Sequence, residues 1–110
     1  MGFRGLTNHG YKDTLDALVG ALCADYERRK DAMTLGSVNK RCAMEYKYIN
    51  YLMLEGAAEV VGERYAELYI NEIGRRIGYA KTEHPAVDEN TYKLSKQAVK
   101  MNIAKKLHLF

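Results

Sequence analysis

Apolar side chains recur every three or four residues through most of the chain, which is the spacing of amphipathic α-helices. The first helical pattern begins at Tyr11 and predicts a helix of about six turns. Gly36 follows it and can adopt the left-handed backbone conformation that ends many helices. Charged side chains such as Asp25 and Arg29 lie off the apolar stripe of this helix, so we expect them to face water. The stripe consists of Leu15, Leu18, Val19, Leu22, Tyr26 and Met33.

Two more stripes predict a second and a third helix. Ser37 suits the N-cap of the second helix, and the short link before it makes the first two helices antiparallel neighbours. Gly62 followed by Glu63 predicts a break, after which the third helix runs to a stop near Gly78 or continues through Lys81. The second stripe contains Cys42, Tyr46, Ile49, Met53, Gly56 and Val60, and the third contains Tyr65, Leu68, Tyr69, Ile73 and Ile77.

The last helix is predicted after Pro85, because a proline disfavours the helical conformation at the preceding residue, His84. Asp88 is a good N-cap, and the helix should continue to about Leu107. Apolar positions gather on one side of this helix and form its core face. They are Tyr92, Val99, Ile103 and Leu107. The neighbouring side is polar and predicts a row of cations open to solvent. It carries Lys93, Lys96, Gln97 and Lys100.

Composition agrees with one all-α domain. The chain has 110 residues, of which 47% are hydrophobic and 28% charged, so it is long enough to build a single core. One proline leaves long stretches without a helix breaker, which favours helices over strands. We therefore predict an all-α fold with four helices over residues 11–110. Residues 1–10 contain three glycines and no apolar period, and they predict a flexible arm.

The net charge of +3 is confined to the C-terminal end of the chain. Residues 88–110 contain five lysines and two acidic residues, whereas the preceding 87 residues contain twelve basic and twelve acidic side chains. Cations that face the same way attract a polyanion, because their phosphate contacts add up. The alternative is an ordinary solvated helix face. Lys105 and Lys106 also complement the negative end of the helix dipole whatever the function.

The last two helices are therefore interpreted as a helix-turn-helix-like unit that binds double-stranded DNA. In such a unit the second helix enters the major groove, where amides read base edges and cations hold phosphates. The candidate phosphate contacts are Lys93, Lys96 and Lys100, with Arg75, Arg76 and Lys81 beside the groove. The candidate base readers are Asn90 and Gln97. A homodimer fits this interpretation, since a single helix-turn-helix seldom binds tightly.

The C-terminal third of the chain also resembles a known family. The strings DENTYKLSKQAV at residues 88–99 and IAKKL at residues 103–107 resemble the final helix of the small ArpU/RinA-type regulators of phages of Gram-positive bacteria. Those regulators are similar to the helix-turn-helix of sigma-factor region four. The matching positions are Thr91, Tyr92, Lys96, Ala104 and Leu107. The resemblance implies a phage-encoded transcriptional regulator that binds DNA without a cofactor.

A competing hypothesis is a small helical protein that binds and inhibits a host protein, as anti-CRISPR proteins and other phage-encoded inhibitors do. Its supporting feature is the group of tyrosines on the second helix. Tyr46 lies on the apolar stripe, whereas Tyr48 and Tyr51 lie off it and are candidate anchors of a protein interface. The alternative is that Tyr48 and Tyr51 pack partly against neighbouring helices while their hydroxyl groups face water.

An enzyme is the least favoured class. The three histidines fall in the arm, in a loop and at the terminus, and the two cysteines lie in helical stretches without histidines at metal-ligand spacing. Glu59, Glu63 and Glu67 are four residues apart but lack the Glu-x-x-His motif of a helical metal site. We therefore expect no catalytic residue, no metal and no cofactor. The chain also lacks a secretory signal and a long apolar run, which predicts a cytoplasmic protein without a membrane segment.

Overall fold

Four helical rods make up the part of the chain that the structure describes, which in this computed structural model is residues 14–36, 38–82 and 87–109. The α-helices are α1 (Asp16–Ala24), α2 (Tyr26–Leu35), α3 (Lys40–Val61), α4 (Glu63–Gly74) and α5 (Glu89–Lys106), with a 3₁₀ turn at Tyr79–Lys81. α1 and α2 form one rod, because the Asp25 N–H donates to Ala21 O and the Arg29 N–H donates to Asp25 O. The described residues contain no strand. The prediction of an all-α, four-helix fold is confirmed.

Polar caps set where two of the helices begin. The side chain of Asp88 accepts a hydrogen bond of 2.7 Å from the Thr91 N–H, so it caps α5 as predicted. The cap of α3 is Asn39, whose side chain accepts a 2.9 Å hydrogen bond from the Cys42 N–H. The predicted cap Ser37, the arm over residues 1–10 and the loop at residues 84–85 lie outside the described residues.

Two glycines end helices where the sequence predicted. Gly36 closes α2 with φ of 66°, in the left-handed region that glycine adopts without steric cost. Gly62 separates α3 from α4 with φ of 87° and ψ of 157°, a conformation that is essentially restricted to glycine. These local backbone requirements explain why the ends of α2 and α3 could be read from the sequence.

α4 ends earlier than predicted, at Gly74. The chain turns there through Arg76, whose φ of 57° is left-handed although it is not glycine. The Arg76 N–H donates to Ile73 O at 3.2 Å and the Ile77 N–H donates to Glu72 O at 2.9 Å. These two hydrogen bonds form a Schellman motif, which satisfies the last carbonyl groups of the helix.

The connection from α4 to α5 therefore spans residues 75–88 and includes the 3₁₀ turn. A tight helix-turn-helix has a turn of three or four residues between its helices. The predicted helix-turn-helix is not confirmed, because this connection is several times longer than such a turn.

α3 is the central helix and packs against α2, α4 and α5. Its contact with α5 is close: a Cβ atom added at Gly56 would lie 3.2 Å from the backbone of Ile103. Asn102 also donates a 2.8 Å hydrogen bond to Gly56 O across this contact. The buried apolar core contains Leu15, Val19, Cys23, Tyr26, Met53, Ala57, Ala66, Tyr69, Ile70, Ile73, Tyr92, Val99, Ile103 and Ala104.

Three positions differ from the predicted apolar stripes. Leu18 and Val60 belong to the stripes but remain exposed, because the neighbouring helices cover only part of each apolar face. Arg29 was expected to face water, yet only 3% of its surface is exposed. A buried guanidinium is tolerated only when its donors find acceptors.

The donors of Arg29 are satisfied inside the core. Its Nε donates to Asn50 Oδ1 at 2.7 Å and its Nη2 donates to Leu22 O at 2.7 Å. Nη2 also lies 3.1 Å from the Met53 sulfur, and Nη1 lies 3.6 Å from an Asp25 carboxylate oxygen. These contacts fix the position of α2 against α3.

Polar side chains also tie α2 to α4. The Tyr26 hydroxyl and the Lys30 ammonium both donate to Glu67 Oε2, at 2.8 Å and 2.7 Å. These hydrogen bonds hold the pKa of the Glu67 carboxyl below its ordinary value. Asn71 donates to Glu27 at 2.9 Å beside them.

None of the described helices combines the length and the apolar character that a membrane crossing requires.

The close approach of α1 and α4 at Gly74 predicts the effect of a Gly74→Ala substitution. A Cβ atom at this position would lie 2.6 Å from the backbone of Ala24 and of Cys23, so the two helices would have to separate. We expect a loss of about 2–3 kcal/mol in the free energy of unfolding, measured by urea denaturation. Gly20→Ala in α1 is the control, since nothing lies within 4 Å of its added Cβ. Equal stabilities of the two variants would contradict this packing.

Candidate functional site

The lysines of α5 do not form the open row that the sequence predicted. Lys93 does face solvent, where its Nζ pairs with Glu89 at 2.8 Å one turn earlier. Both side chains of this pair are well exposed, so the pair contributes at most about 1 kcal/mol and can exchange for another anion.

Lys96 is turned towards α4 and is half-buried. Its Nζ donates a 2.8 Å hydrogen bond to Ile77 O and lies 5.2 Å from the centroid of the Tyr92 ring. Burial lowers the pKa of the Lys96 ammonium, and the nearby charge of Lys100 lowers it further. This side chain is held in place by the connection that follows α4, so the prediction that it faces solvent is wrong.

Lys100 and Lys106 are paired with acids of other helices. Lys100 lies 2.8 Å from an Asp16 carboxylate oxygen of α1, and only 19% of its side chain is exposed. Lys106 bridges Glu55 and Glu59 of α3, at 3.2 Å and 2.5 Å. These cations link α5 to its neighbours. The predicted outward orientation of Lys100 is therefore wrong as well.

The surface of α5 that remains open is mixed. Both predicted base readers, Asn90 and Gln97, are exposed there. They share the surface with a large apolar side chain, Leu94, and with the exposed cations Lys93 and Lys105. The structure thus brings the two amides together with two of the five C-terminal lysines.

The cations near the end of α4 form a second set of predicted contacts. Arg75, Arg76 and Lys81 are exposed, and none of them forms an ion pair with another described residue. They lie in the connection between α4 and α5, close in sequence to the carbonyl that holds Lys96. Of the predicted phosphate contacts, these three and Lys93 are exposed to solvent.

The clearest apolar surface lies on α3. Tyr48 and Tyr51 are 62% and 58% exposed, and Met44, one helical turn before Tyr48, is 65% exposed. The spacing of three and four residues puts these side chains on the same side of the helix. We call Met44, Tyr48 and Tyr51 the α3 face. Sequence reasoning missed Met44, although its helical spacing from the two tyrosines was a readable signal.

Charged side chains flank the α3 face at its N-terminal end. Lys40, Arg41 and Lys47 are all exposed, and the one acid among them, Glu45, lies 3.5 Å from Arg41. At the other end the Tyr51 hydroxyl donates a 3.1 Å hydrogen bond to Glu55, which raises the pKa of the tyrosine. This bond orients the Tyr51 ring on the helix surface.

A buried carboxylate was also missed by sequence reasoning. Glu72 is 2% exposed, and its Oε1 accepts hydrogen bonds of 2.6 Å from the Tyr92 hydroxyl and from the Thr82 hydroxyl. Burial and this contact raise the pKa of Tyr92 to about 12. The group joins α4, the connection and α5, and it is closed to a ligand because it lies inside the packing.

Nucleophiles and metal ligands do not converge in the described residues. Cys23 is buried, which raises the pKa of its thiol to about 12, and Cys42 is a second free cysteine on α3. His108 lies at the end of α5, whereas His9 and His84 lie outside the described residues. The part of the chain that the structure describes contains no group of three side chains able to hold a metal ion.

Comparison with protein-family models, with curated proteins and with solved structures found no match to this chain. The resemblance of the C-terminal third to the phage regulators therefore stays a prediction. The geometry of the described side chains is what bears on function.

Because Lys100 points inward, we expect a reversal of its charge to lower the free energy of unfolding. Lys100→Glu would place a second carboxylate beside Asp16 in a half-buried position, and we expect the free energy of unfolding to fall by roughly 2 kcal/mol. Lys105→Glu on the open surface should change it by less than about 0.5 kcal/mol. Thermal and urea denaturation of the two variants measure this difference. A Lys100→Glu protein as stable as Lys105→Glu would show that the ion pair with Asp16 is not formed.

Proposed function

We propose that this chain is a helical binding protein that docks on a partner protein through the α3 face. The observation that carries the proposal is the exposure of Met44, Tyr48 and Tyr51 on one side of a single helix. Tyrosine and methionine are enriched in the centre of protein interfaces, and tyrosine is frequent among the residues that dominate binding energy.

Burial of this face would provide a substantial driving force. Each large side chain contributes about 1.5–3 kcal/mol when it moves from water into an apolar contact. The hydrogen bond from Tyr51 to Glu55 already orients one ring, so less conformational entropy is lost on binding. Tyr51 also lines a groove of about 580 Å³ between α3 and α4, whose apolar wall includes Leu54 and Ala66. A partner side chain can enter this groove beside the ring.

The charges around the face favour an acidic partner. Lys40, Arg41 and Lys47 surround Met44, and Glu45 alone opposes them at this end of the helix. Complementary charge at the rim of an interface increases the association rate and selects partners. We therefore expect a partner surface with an apolar centre and acidic side chains opposite residues 40–47.

Docking of this kind needs no catalytic group, because occupancy alone blocks or tethers the partner. This is the mode of action of the phage-encoded inhibitors of host proteins that the sequence suggested as an alternative. It is compatible with the exposed tyrosines and with the helical scaffold that holds them.

DNA binding is the second candidate function. Its support is the exposure of Arg75, Arg76 and Lys81, none of which forms an ion pair with another described residue. Lys93 adds a weakly paired cation on the exposed side of α5. It ranks second because Lys96, Lys100 and Lys106 are turned towards the neighbouring parts of the protein and therefore do not lie on the open side of α5 that a DNA groove would meet.

For partner binding, we expect the double substitution Tyr48→Ala with Tyr51→Ala to raise the Kd for the partner at least about a hundredfold, since each anchor contributes on the order of 2 kcal/mol. The partner is first captured on the immobilised wild-type protein and identified by mass spectrometry. The Kd values are then measured by calorimetry with the purified partner.

The control for this experiment is Leu94→Ala, which removes an exposed apolar side chain from α5 and should leave the Kd unchanged. Circular dichroism should report the same helix content for all three proteins. If the double variant retains the partner with wild-type affinity, the α3 face is not the docking site.

For DNA binding, the test is a gel-shift titration of the wild-type protein and of the triple variant Arg75→Glu, Arg76→Glu and Lys81→Glu. If the second candidate holds, the wild-type affinity falls steeply with salt, by a slope of about 0.9 per phosphate contacted, and the triple variant loses binding. The reference variant is Lys40→Glu with Lys47→Glu, which should bind DNA normally. Absence of a salt-dependent shift in the wild type removes this candidate.

A further inference from the structure

A cleft of about 600 Å³ opens between α1, the end of α4 and α5. It exists because α1 presents small side chains on this side of the molecule. They are Ala17, Gly20, Ala21 and Ala24. Ile73 and Ile77 complete an apolar floor. The volume falls within the range of small-molecule sites in proteins, about 300–1,000 Å³.

The charges that line the cleft are mostly positive. Arg76, Lys96 and Lys100 line it together with one carboxylate, Asp16. The Lys96 ammonium has three donors, and its hydrogen bond to Ile77 O uses one of them. Lys96 is half-buried and lies one helical turn from Lys100, so the two cations repel each other. The carboxylate of Asp16, which pairs with Lys100, and the buried carboxylate of Glu72 offset this repulsion in part. Cations held in such a position favour an anion from solution.

The end of α4 brings the third cation to this cleft. The left-handed conformation of Arg76 turns the chain, so that residues 76–78 line the cleft behind the last turn of α4. Glycine is the usual residue at such a position, because a side chain there costs roughly 1–2 kcal/mol. A substitution of Arg76 by glycine would therefore keep the backbone turn and remove the guanidinium alone.

We propose that this cleft binds a small phosphate monoester, with the phosphate between Arg76, Lys96 and Lys100 and the apolar body of the ligand on the floor formed by α1 and Ile73. Three cations and one carboxylate line the cleft, and the Glu72 carboxylate acts on Lys96 from inside the packing, so the cleft keeps a net positive charge. A phosphate monoester, with a charge of about −1.5 to −2 at neutral pH, complements it. Arginine and lysine donors are the usual partners of phosphate oxygens. The site goes beyond the proposed partner binding, because no residue of α3 lines the cleft.

Phenyl phosphate is a suitable probe for this cleft, and the amide signals of the lining glycines report on it. In a heteronuclear NMR titration of the full chain, Gly20, Gly74 and Gly78 should shift together and saturate with a Kd on the order of 1 mM or below. Gly36 and Gly62 lie at other helix ends and should not move. A titration without saturable shifts at Gly20, Gly74 and Gly78 overturns the proposal.

Arg76→Gly is the sharpest variant, and His108→Gly is its matched control. His108 holds the same left-handed conformation at the end of α5, with φ of 58°, but it does not line the cleft. Both substitutions relieve the same backbone strain, so both proteins should be at least as stable as the wild type. Arg76→Gly should weaken phenyl phosphate binding at least about tenfold, since it removes a charge-assisted contact. Equal affinities of the two variants would refute the role of Arg76.

Two further probes separate the parts of the ligand. Inorganic phosphate lacks the apolar body, and benzoate lacks the second negative charge, so both should bind more weakly than phenyl phosphate. Inorganic phosphate with equal affinity would show that the floor contributes nothing and would overturn the assignment of a monoester. Benzoate with equal affinity would overturn the assignment of phosphate.

Discussion

The buried guanidinium of Arg29 constrains the rest of this molecule. A charge inside a small core is tolerated only while its donors are satisfied, so Asn50 and the Leu22 carbonyl must stay where they are. This requirement fixes the rotation of α3 as well as its distance from α2. Because Asn50 and Met53 face Arg29, the opposite side of α3 carries Met44, Tyr48 and Tyr51 to the surface. Among the described residues, the exposed apolar face of α3 thus follows from the burial of Arg29 on its other side.

The C-terminal lysines follow the same electrostatic rule, that a buried or half-buried charge must be matched by acceptors or by an opposite charge. A half-buried ammonium group requires an acceptor. The neighbouring helices provide Asp16, Glu55 and Glu59, and the connection after α4 provides the Ile77 carbonyl. Three of the lysines at the end of the sequence, Lys96, Lys100 and Lys106, therefore bind other parts of the protein and hold α5 against α1, α3 and the end of α4. The positive charge that remains for a partner is distributed over the end of α4, the open side of α5 and the start of α3. Because the free cations are spread over three elements, the distribution favours docking on a protein over binding of a DNA phosphate backbone by α5 alone.

Small residues determine both how closely the helices pack and where a cleft is left open. Gly56 and Gly74 allow α3 to approach α5 and α4 to approach α1, at distances that a side chain would prevent. The small side chains of α1 then face a region that the end of α4 and the lysines of α5 surround without filling. The same shortage of side-chain volume therefore produces tight contacts at two helix crossings and a charged cleft beside one of them. The cleft and the α3 face share no residue, so they can act independently.

The sequence by itself determined the helices and several of their ends. Hydrophobic periodicity, the left-handed glycines at 36 and 62 and the cap at Asp88 depend on interactions within a few residues, which a linear pattern records. It also singled out Tyr48 and Tyr51, because both lie off the apolar stripe of their helix. Only the tertiary structure decided that Arg29 is buried, that Leu18 is exposed and that Lys96 and Lys100 point inward. Those outcomes depend on which helix covers which side of its neighbour and on where acceptors such as Asp16 and the Ile77 carbonyl lie in the fold. These acceptors are far in the sequence from the lysines that they bind, so no local sequence pattern records the contacts.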